Sequence, residues 1–537
     1  MPFQPTVCLA PNRLPYLFGF LDGLWPPCNY GHVSRLKQIA GLLAVTITLV
    51  LIYSLLPLGT AFAFGDDESY EVIKGFMCSK GYKLYTEIWN DQPPVSTVLL
   101  AAAFKAWGPS ILTARLVAAG FGLVLFSAFH ELVRQRSGQW TALLATFFLL
   151  ASPSVLPLSV SVMLEVPAIG TGLVSAWLLF QWGRHRHWGW LLASGGVMGV
   201  ALQIKLTAVL VAPAMLLELW LMCLADHRQR SRKRAVATTL FWGGCVVAIS
   251  VAIGLTWGRG SMQSSWKSHT AVQVVSGYGS AADHPFEPRL LWNHVECVAA
   301  AVLCLALLAR QRRWREAAFP LTLLLTAIVI HTVHRPWWNY YYLHWAVPLA
   351  WLAGLAANEV LKAVFRLLGG NPFSLSAPTT WRGLTLCGLA ALAIARSERR
   401  LEGAVANLAH RPKVEANPVV KKMREYASRT KWVYAESALY PFHAQLPTPP
   451  ELAVVMLKRF WSGQISTAGI IATCKQYQVE QLVLPLKDSH AGEWKALLAA
   501  EYDSACTDGR SCLYIAKRIK TENSPKPEAA SPSTPVH

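Results

Sequence analysis

The chain has 537 residues, of which 53% are hydrophobic and only 15% charged, where an average soluble protein carries about 25% charged residues. That balance, together with 22 Trp residues, excludes an ordinary soluble enzyme and points to a membrane. The formal charge of +19 does not call for nucleic acid, because in a polytopic chain such an excess belongs to cytoplasmic loops.

In chain order, a segment 1–37 precedes the first apolar run and is expected to be cytoplasmic, with the first helix kept as an anchor rather than cleaved. Apolar segments then recur at 38–58, 111–132, 140–160, 163–182, 188–204, 206–224, 235–257, 291–309, 317–333, 343–365 and 381–396. Each is near the ~20 residues that a helix needs to cross a bilayer, giving about eleven crossings. Basic clusters at Arg35/Lys37, Arg134/Arg136, Arg184/Arg186, 228–234, 310–315 and Lys362/Arg366/Arg382 fall in every second loop. With the N-terminus inside, all six become cytoplasmic. The stretch 95–108 is apolar but too short to span, and Lys105 interrupts it. It reads as an interfacial helix on the external side, since counting it as a crossing would invert every later loop.

External pieces are therefore the loop 59–108, the loop 258–290 and a segment 397–520. The last is expected to be a separate extracytoplasmic α/β domain, with strands at 431–435, 481–485 and 511–517 and helices at 451–460 and 493–501. The tail 521–537, rich in Pro, Ser and Ala, is expected to be disordered. Of eleven cysteines, only Cys506 and Cys512 lie close together in a segment placed outside. Disulfide and free-thiol readings are equally open there. The fold class is thus a polytopic α-helical membrane protein with a small C-terminal extracytoplasmic α/β domain.

Ionisable and polar residues next to hydrocarbon mark candidate chemistry. The first external loop reads Gly65-Asp66-Asp67-Glu68-Ser69-Tyr70, then Gly81-Tyr82-Lys83-Leu84-Tyr85, then Trp89-Asn90-Asp91-Gln92-Pro93-Pro94. A later external stretch runs His334-Arg335-Pro336-Trp337-Trp338-Asn339-Tyr340-Tyr341-Tyr342-Leu343-His344. An aromatic belt explains its Trp and Tyr residues but not its His, Arg and Asn. Single ionisable residues stand at Glu165, which opens one helix, and at Lys205, at an otherwise apolar hairpin tip.

The order Asp66-Asp67-x-x-Tyr70, Gly81-x-x-x-Tyr85, Pro93-Pro94 resembles the first external loop of the GT-C glycosyltransferases, the superfamily of protein O-mannosyltransferases and aminoarabinose transferases. The resemblance covers roughly 38–396. It implies transfer of a sugar, with inversion, from a polyprenyl-phosphate donor to an acceptor hydroxyl on the external face. Asp66 stands where the family has its catalytic Asp and Asp67 where it has the following Glu. Asp66 is thus the expected general base, because an acceptor hydroxyl of high pKa needs a carboxylate beside it during attack. A helix N-cap is the alternative for Asp66.

The resemblance also implies substrate-binding roles for Asp67, Tyr70, Tyr85, Asp91, Glu165, Lys205, Arg335, Tyr341 and His344. Arg335 is the first choice for the lipid phosphate, with Lys205 second and Lys105, Lys267, His269 and His334 as further cationic candidates. Each has a structural alternative: snorkelling for Lys205, helix capping for Glu165, a solvated loop charge for Asp91. Where many relatives place Lys or His before Pro-Pro, this chain has Gln92. No metal or other cofactor is expected, and no nucleotide-binding signature appears. The expected partners are the lipid-linked donor, membrane lipid and an acceptor whose class the sequence leaves open, with no nucleic acid. The setting the resemblance suggests is a bacterial inner membrane with a periplasmic site. A transporter of lipid-linked sugars and a non-catalytic scaffold are the competing readings; the first would place ionisable residues deep in several helices.

Overall fold

The computed structural model describes residues 35–65, 67–225, 232–257, 280–369, 378–487 and 491–521. The expected base Asp66, the cations Lys267 and His269, and the N-terminal segment to residue 34 lie outside them, as does nearly all of the tail.

Every expected apolar segment falls on a helix. Helix α1 (Arg35–Ser54) is followed by two short helices, α2 (Glu68–Ser79) and α3 (Val95–Trp107), and then by α4 (Ile111–Ser137). The next are α5 (Gln139–Leu150), α6 (Val155–Val160), α7 (Glu165–His185), α8 (Trp188–Ile204), α9 (Ala212–Leu224) and α10 (Arg232–Thr256). The bundle closes with α11 (Val295–Arg310), α12 (Trp314–Val333), α13 (Leu343–Gly369) and α14 (Pro378–Ala409). Among the described residues, five helical stretches are long and apolar enough to cross a membrane, and the protein is a polytopic helical membrane protein. The helices bury one continuous apolar core that includes Phe126, Phe129, Trp182 and Trp351. At Gly354 of α13 a Cβ would lie 2.6 Å from the Ala145 Cβ and 2.7 Å from its backbone nitrogen. Glycine is thus what lets α13 lie directly on α5.

Two segments depart from expectation. The stretch 140–160 is not one helix: α5 stops at Leu150, the chain turns through Ser152-Pro153-Ser154 with Ser154 at φ 62°, and α6 resumes. The last apolar segment does not end at 396 but continues in α14 to Ala409, across the expected domain boundary. Its polar extension is held because Arg396 and Arg400 pair with the buried Glu296 at 3.1 and 2.5 Å. Arg400 also donates to the carbonyl of Asn293 at 2.6 Å and to that of Ala151, in the break after α5, at 3.2 Å.

The C-terminal part forms a four-stranded sheet, β1 (Val433–Ala435), β2 (Gln481–Pro485), β3 (Tyr502–Thr507) and β4 (Ser511–Ala516), in the order β1-β2-β4-β3. The β1–β2 pair is parallel and the other two are antiparallel. Helices α15 (Pro418–Glu425), α16 (Leu439–Ala444), α17 (Leu457–Trp461), α18 (Thr467–Gln476) and α19 (Ala491–Glu501) accompany it. The strand β3 was not expected, and the expected helix 451–460 is broken into a 3-10 turn at Pro450–Leu452 and the short α17, with residues 453–456 between them. Cys506 and Cys512 are free thiols: Cys506 pairs across the hairpin with Leu513 and Cys512 with Thr507, so the two are out of register.

This domain shares a core with the first external loop. Val72, Ile73, Phe76 and Met77 of α2 and Leu100 and Phe104 of α3 join Val420, Met423, Leu439 and Phe442 in one buried cluster. The Phe442 ring meets Phe76 edge-on at 5.5 Å and Phe104 at 5.6 Å.

Candidate functional site

The acidic loop is positioned from below by a buried ion pair. Glu68, the first residue of α2, accepts from Arg115 of α4 at 3.0 and 2.8 Å and from the backbone of Phe64 and Val162 at 2.9 and 3.3 Å. Arg115 donates both hydrogens of its Nη1 to the carbonyls of Leu58 and Ala61, at 2.9 and 2.8 Å. Both side chains are fully buried, so Leu58, Ala61, Phe64 and Glu68 are tied together by charge-assisted hydrogen bonds. One residue before this anchor, Asp67 occupies the N-cap position of α2, yet its side chain makes no capping bond. Its carboxylate instead accepts from the Tyr340 hydroxyl and faces a cavity.

That cavity has a volume of about 390 Å³ and lies between the first external loop, the bundle and the C-terminal domain. Of the residues expected at a site, Asp67, Tyr70, Asp91, Glu165, Lys205, Arg335 and Tyr341 line it. Three other expected residues lie outside its lining. Tyr85 does not line the cavity; its hydroxyl donates to the Gln92 carbonyl at 2.7 Å and braces the turn before Pro93. His344 lies one layer back, 2.9 Å from His331 and stacked on Tyr341, so it supports the wall without facing the cavity. Lys105 is exposed in the last turn of α3, outside the lining.

Two ion pairs dominate the lining. Lys205 follows the end of α8 in an extended conformation, φ −154°, which turns its side chain inward. It is buried and paired with Glu165 of α7, so it neither snorkels nor leaves Glu165 as a simple cap. Its ammonium sits 4.9 and 5.3 Å from the rings of Tyr340 and Tyr341. The second pair is Asp91 with Lys458, at 2.9 Å. Asp91 is buried and is therefore no solvated loop charge. Arg335 and His334 are exposed at the rim, where Arg335 donates to the Ala282 carbonyl at 3.3 Å.

Burial governs the protonation of these groups. It pushes the Asp67 carboxyl up from 3.8 to about 6, against the pull of Lys205. The Glu71 carboxyl is likewise raised by burial, which Lys74 only partly offsets. For Lys458 burial works against the charge, but the Asp91 carboxylate overcomes it and holds the ammonium above its ordinary value. His334, exposed in part at the rim, is lowered by partial desolvation and by the charges of Lys458 and Lys205.

Sequence reasoning missed Glu71 and Lys458. Glu71 lines the cavity and pairs with Lys74 at 2.8 Å, while its other carboxylate oxygen is buried without a hydrogen-bond partner among the described residues. Its position one helical turn after Asp67 was a usable signal. Lys458 had none, because only the folded C-terminal domain carries it to Asp91. Elsewhere, His294, Glu296 and Cys297 come within metal-ligating reach of one another. Both ring nitrogens of that histidine already meet hydroxyls, of Tyr342 at 2.7 Å and Ser152 at 3.2 Å, and Glu296 is held by two arginines.

Comparison with known proteins agrees with this architecture. The family model of dolichyl-phosphate-mannose-protein mannosyltransferases matches residues 91–257. ArnT of Cupriavidus metallidurans bound to undecaprenyl phosphate is similar in structure, with a TM-score of 0.58 at 16% identity over 90% of this chain and 98% of that one. Its apo form gives 0.57 at 15% identity over 89% and 97%. The apo oligosaccharyltransferase of Archaeoglobus fulgidus gives 0.53 at 14% identity over 83% of this chain and 69% of that one. No curated protein matches the sequence.

Proposed function

We propose, for a chain that has the fold of the GT-C membrane glycosyltransferases, that it moves one sugar from a polyprenyl-phosphate carrier to an acceptor hydroxyl on the external face, with inversion. The observation that carries this reading is the cavity where the acidic loop, the buried Lys205, the half-buried Lys458 and an exposed arginine meet. Its volume of about 390 Å³ is within the ordinary range for small-ligand pockets, roughly 300–1,000 Å³. Carboxylates for a base and cations for a phosphate leaving group are what such a transfer requires.

In this reading the acceptor oxygen attacks the anomeric carbon and gives its proton to Asp66. The bond from that carbon to the phosphate oxygen breaks, and its electron pair stays on the phosphate. Lys205 and Arg335 hold the phosphate, Glu165 stands beside the sugar, and Asp67 orients the acidic loop toward the acceptor. The interfacial helix α3 backs the loop and helps to exclude water, so that transfer outcompetes hydrolysis. The ends of the helices support the external placement. Arg136 of α4 and Arg315 of α12 both pair with the buried Glu218 of α9, at the helix ends that carry the basic clusters. The cavity takes its residues from the opposite ends of α7, α8 and α12. A bacterial inner membrane with a periplasmic C-terminal domain is the setting that this reading implies.

The test is sugar transfer from a panel of polyprenyl-phosphate sugars by the full-length protein in nanodiscs, with D66N and D67N in parallel. Turnover of one donor by the wild type and its loss in D66N is the expected result. Full turnover by a folded D66N removes the assigned base, and loss in D67N alone moves the base by one residue.

A further inference from the structure

Adjacent residues of α17 point in opposite directions. Arg459 turns back into its own domain, donating to the carbonyls of Glu451 and Val454 at 2.8 and 2.6 Å, with its guanidinium 5.4 Å from the ring of Trp89. Trp89 in turn donates to Gln464 at 2.7 Å. The segment is thereby fastened to the first external loop on both sides. Lys458, one residue before Arg459, projects the other way, into the cavity, and meets Asp91.

Lys205 reaches the same space from the bundle, with its own carboxylate, Glu165, behind it. The two ammonium groups feel each other's charge, and Tyr341 interacts with both. Two like charges brought toward one space from independent domains, each countered by a wall carboxylate, form a site that gains most when an anion enters between them.

We propose that Lys458 is a second phosphate-contacting residue, which passes from Asp91 to the carrier phosphate on binding, so that Lys458 and Lys205 hold the leaving group from opposite sides. This rests on the lipid-phosphate donor proposed above. Before transfer the carrier phosphodiester bears one negative charge. When the anomeric carbon–oxygen bond breaks, its electron pair stays on the phosphate, and a second charge develops as the carbon bonds the acceptor oxygen and the acceptor proton passes to Asp66. A second ammonium therefore favours the departing phosphate over the bound donor, which is the difference that accelerates transfer. The C-terminal domain becomes part of the site rather than its cover.

The experiment is binding of undecaprenyl phosphate to the full-length protein in nanodiscs, with neutral undecaprenol as control, for wild type, K458Q, K458R and D91N. K458Q is expected to weaken phosphate binding by roughly 10- to 100-fold, the worth of one hydrogen bond to a charged group. K458R keeps most of the affinity because it keeps the charge. D91N frees Lys458 from its carboxylate and is expected to bind the phosphate more tightly than wild type. A merely structural ion pair gives the opposite pattern, with K458Q and D91N weakening together, and that result overturns the inference. So does unchanged binding by K458Q. If the wild type prefers undecaprenol or binds neither lipid, the donor class itself falls, and the role of Lys458 falls with it.

Discussion

Glu68→Gln tests how the acidic loop is held. The Glu68 carboxylate accepts four hydrogen bonds, two from Arg115 and one each from the backbone of Phe64 and Val162. A glutamine offers one acceptor oxygen and turns an amide donor toward a guanidinium that has no acceptor to give. Arg115, fully buried, is then left as an unneutralised charge, for which breaking a buried pair costs about 3–5 kcal/mol. At about tenfold for each 1.4 kcal/mol, this lowers the folded-to-unfolded ratio on the order of 10²- to 10³-fold. Thermal ramps followed by size-exclusion in detergent read the loss, and sugar transfer should fall with it because Asp67 is the next residue. Replacing both partners, Glu68→Leu with Arg115→Met, should recover part of the stability, since no charge is then stranded. Recovery is incomplete because the Leu58 and Ala61 carbonyls lose their donor. A Glu68→Gln protein as stable as wild type, or a double variant worse than the single one, refutes the reasoning.

Three further outcomes follow from the geometry. Asp67 is raised from 3.8 to about 6, so its protonated form favours the fold: the contribution is complete below about 4 and lost as pH rises through about 6. D67N should therefore be more thermostable than wild type at pH 8 and no more so at pH 4. His443, lowered by burial from 6.5 to about 4, hydrogen-bonds the Phe62 carbonyl at 2.9 Å. Its contribution is present above 6.5 and lost as pH falls toward 4. Protease release of the C-terminal domain should accelerate over that interval in wild type and not in His443→Gln. Gly354→Val should destabilise the bundle by about 1–3 kcal/mol through overpacking against α5, read as a lower unfolding temperature.

The helices were legible because a membrane demands long uninterrupted apolar runs, and the site loop because Asp67, Tyr70 and Asp91 sit within one short external stretch. Glu165, Lys205 and Arg335 stood out as polar residues among apolar ones. What the sequence withheld was long-range. Pro153 between two serines carried the break after α5, yet the apolar run around it concealed it. The extension of α14 depends on Glu296, and the role of Lys458 on Asp91, contacts that no local pattern encodes. That Tyr85 braces Gln92 and His344 meets His331 was hidden for the same reason: position near a motif fixes neighbourhood, not the direction in which a side chain points.

The shared core of Phe76, Phe104 and Phe442 has a consequence for biosynthesis. The loop that carries α2 and α3 leaves the ribosome early, while the residues that complete its apolar core are made more than 300 residues later, so loop closure is among the longest the fold contains. Until the C-terminal domain docks, α2 and α3 have no partner for that face and Asp91 has no Lys458. A truncated or stalled chain is therefore also a chain whose cavity lacks one wall, since Met456, Leu457, Lys458 and Trp461 line it from the C-terminal domain.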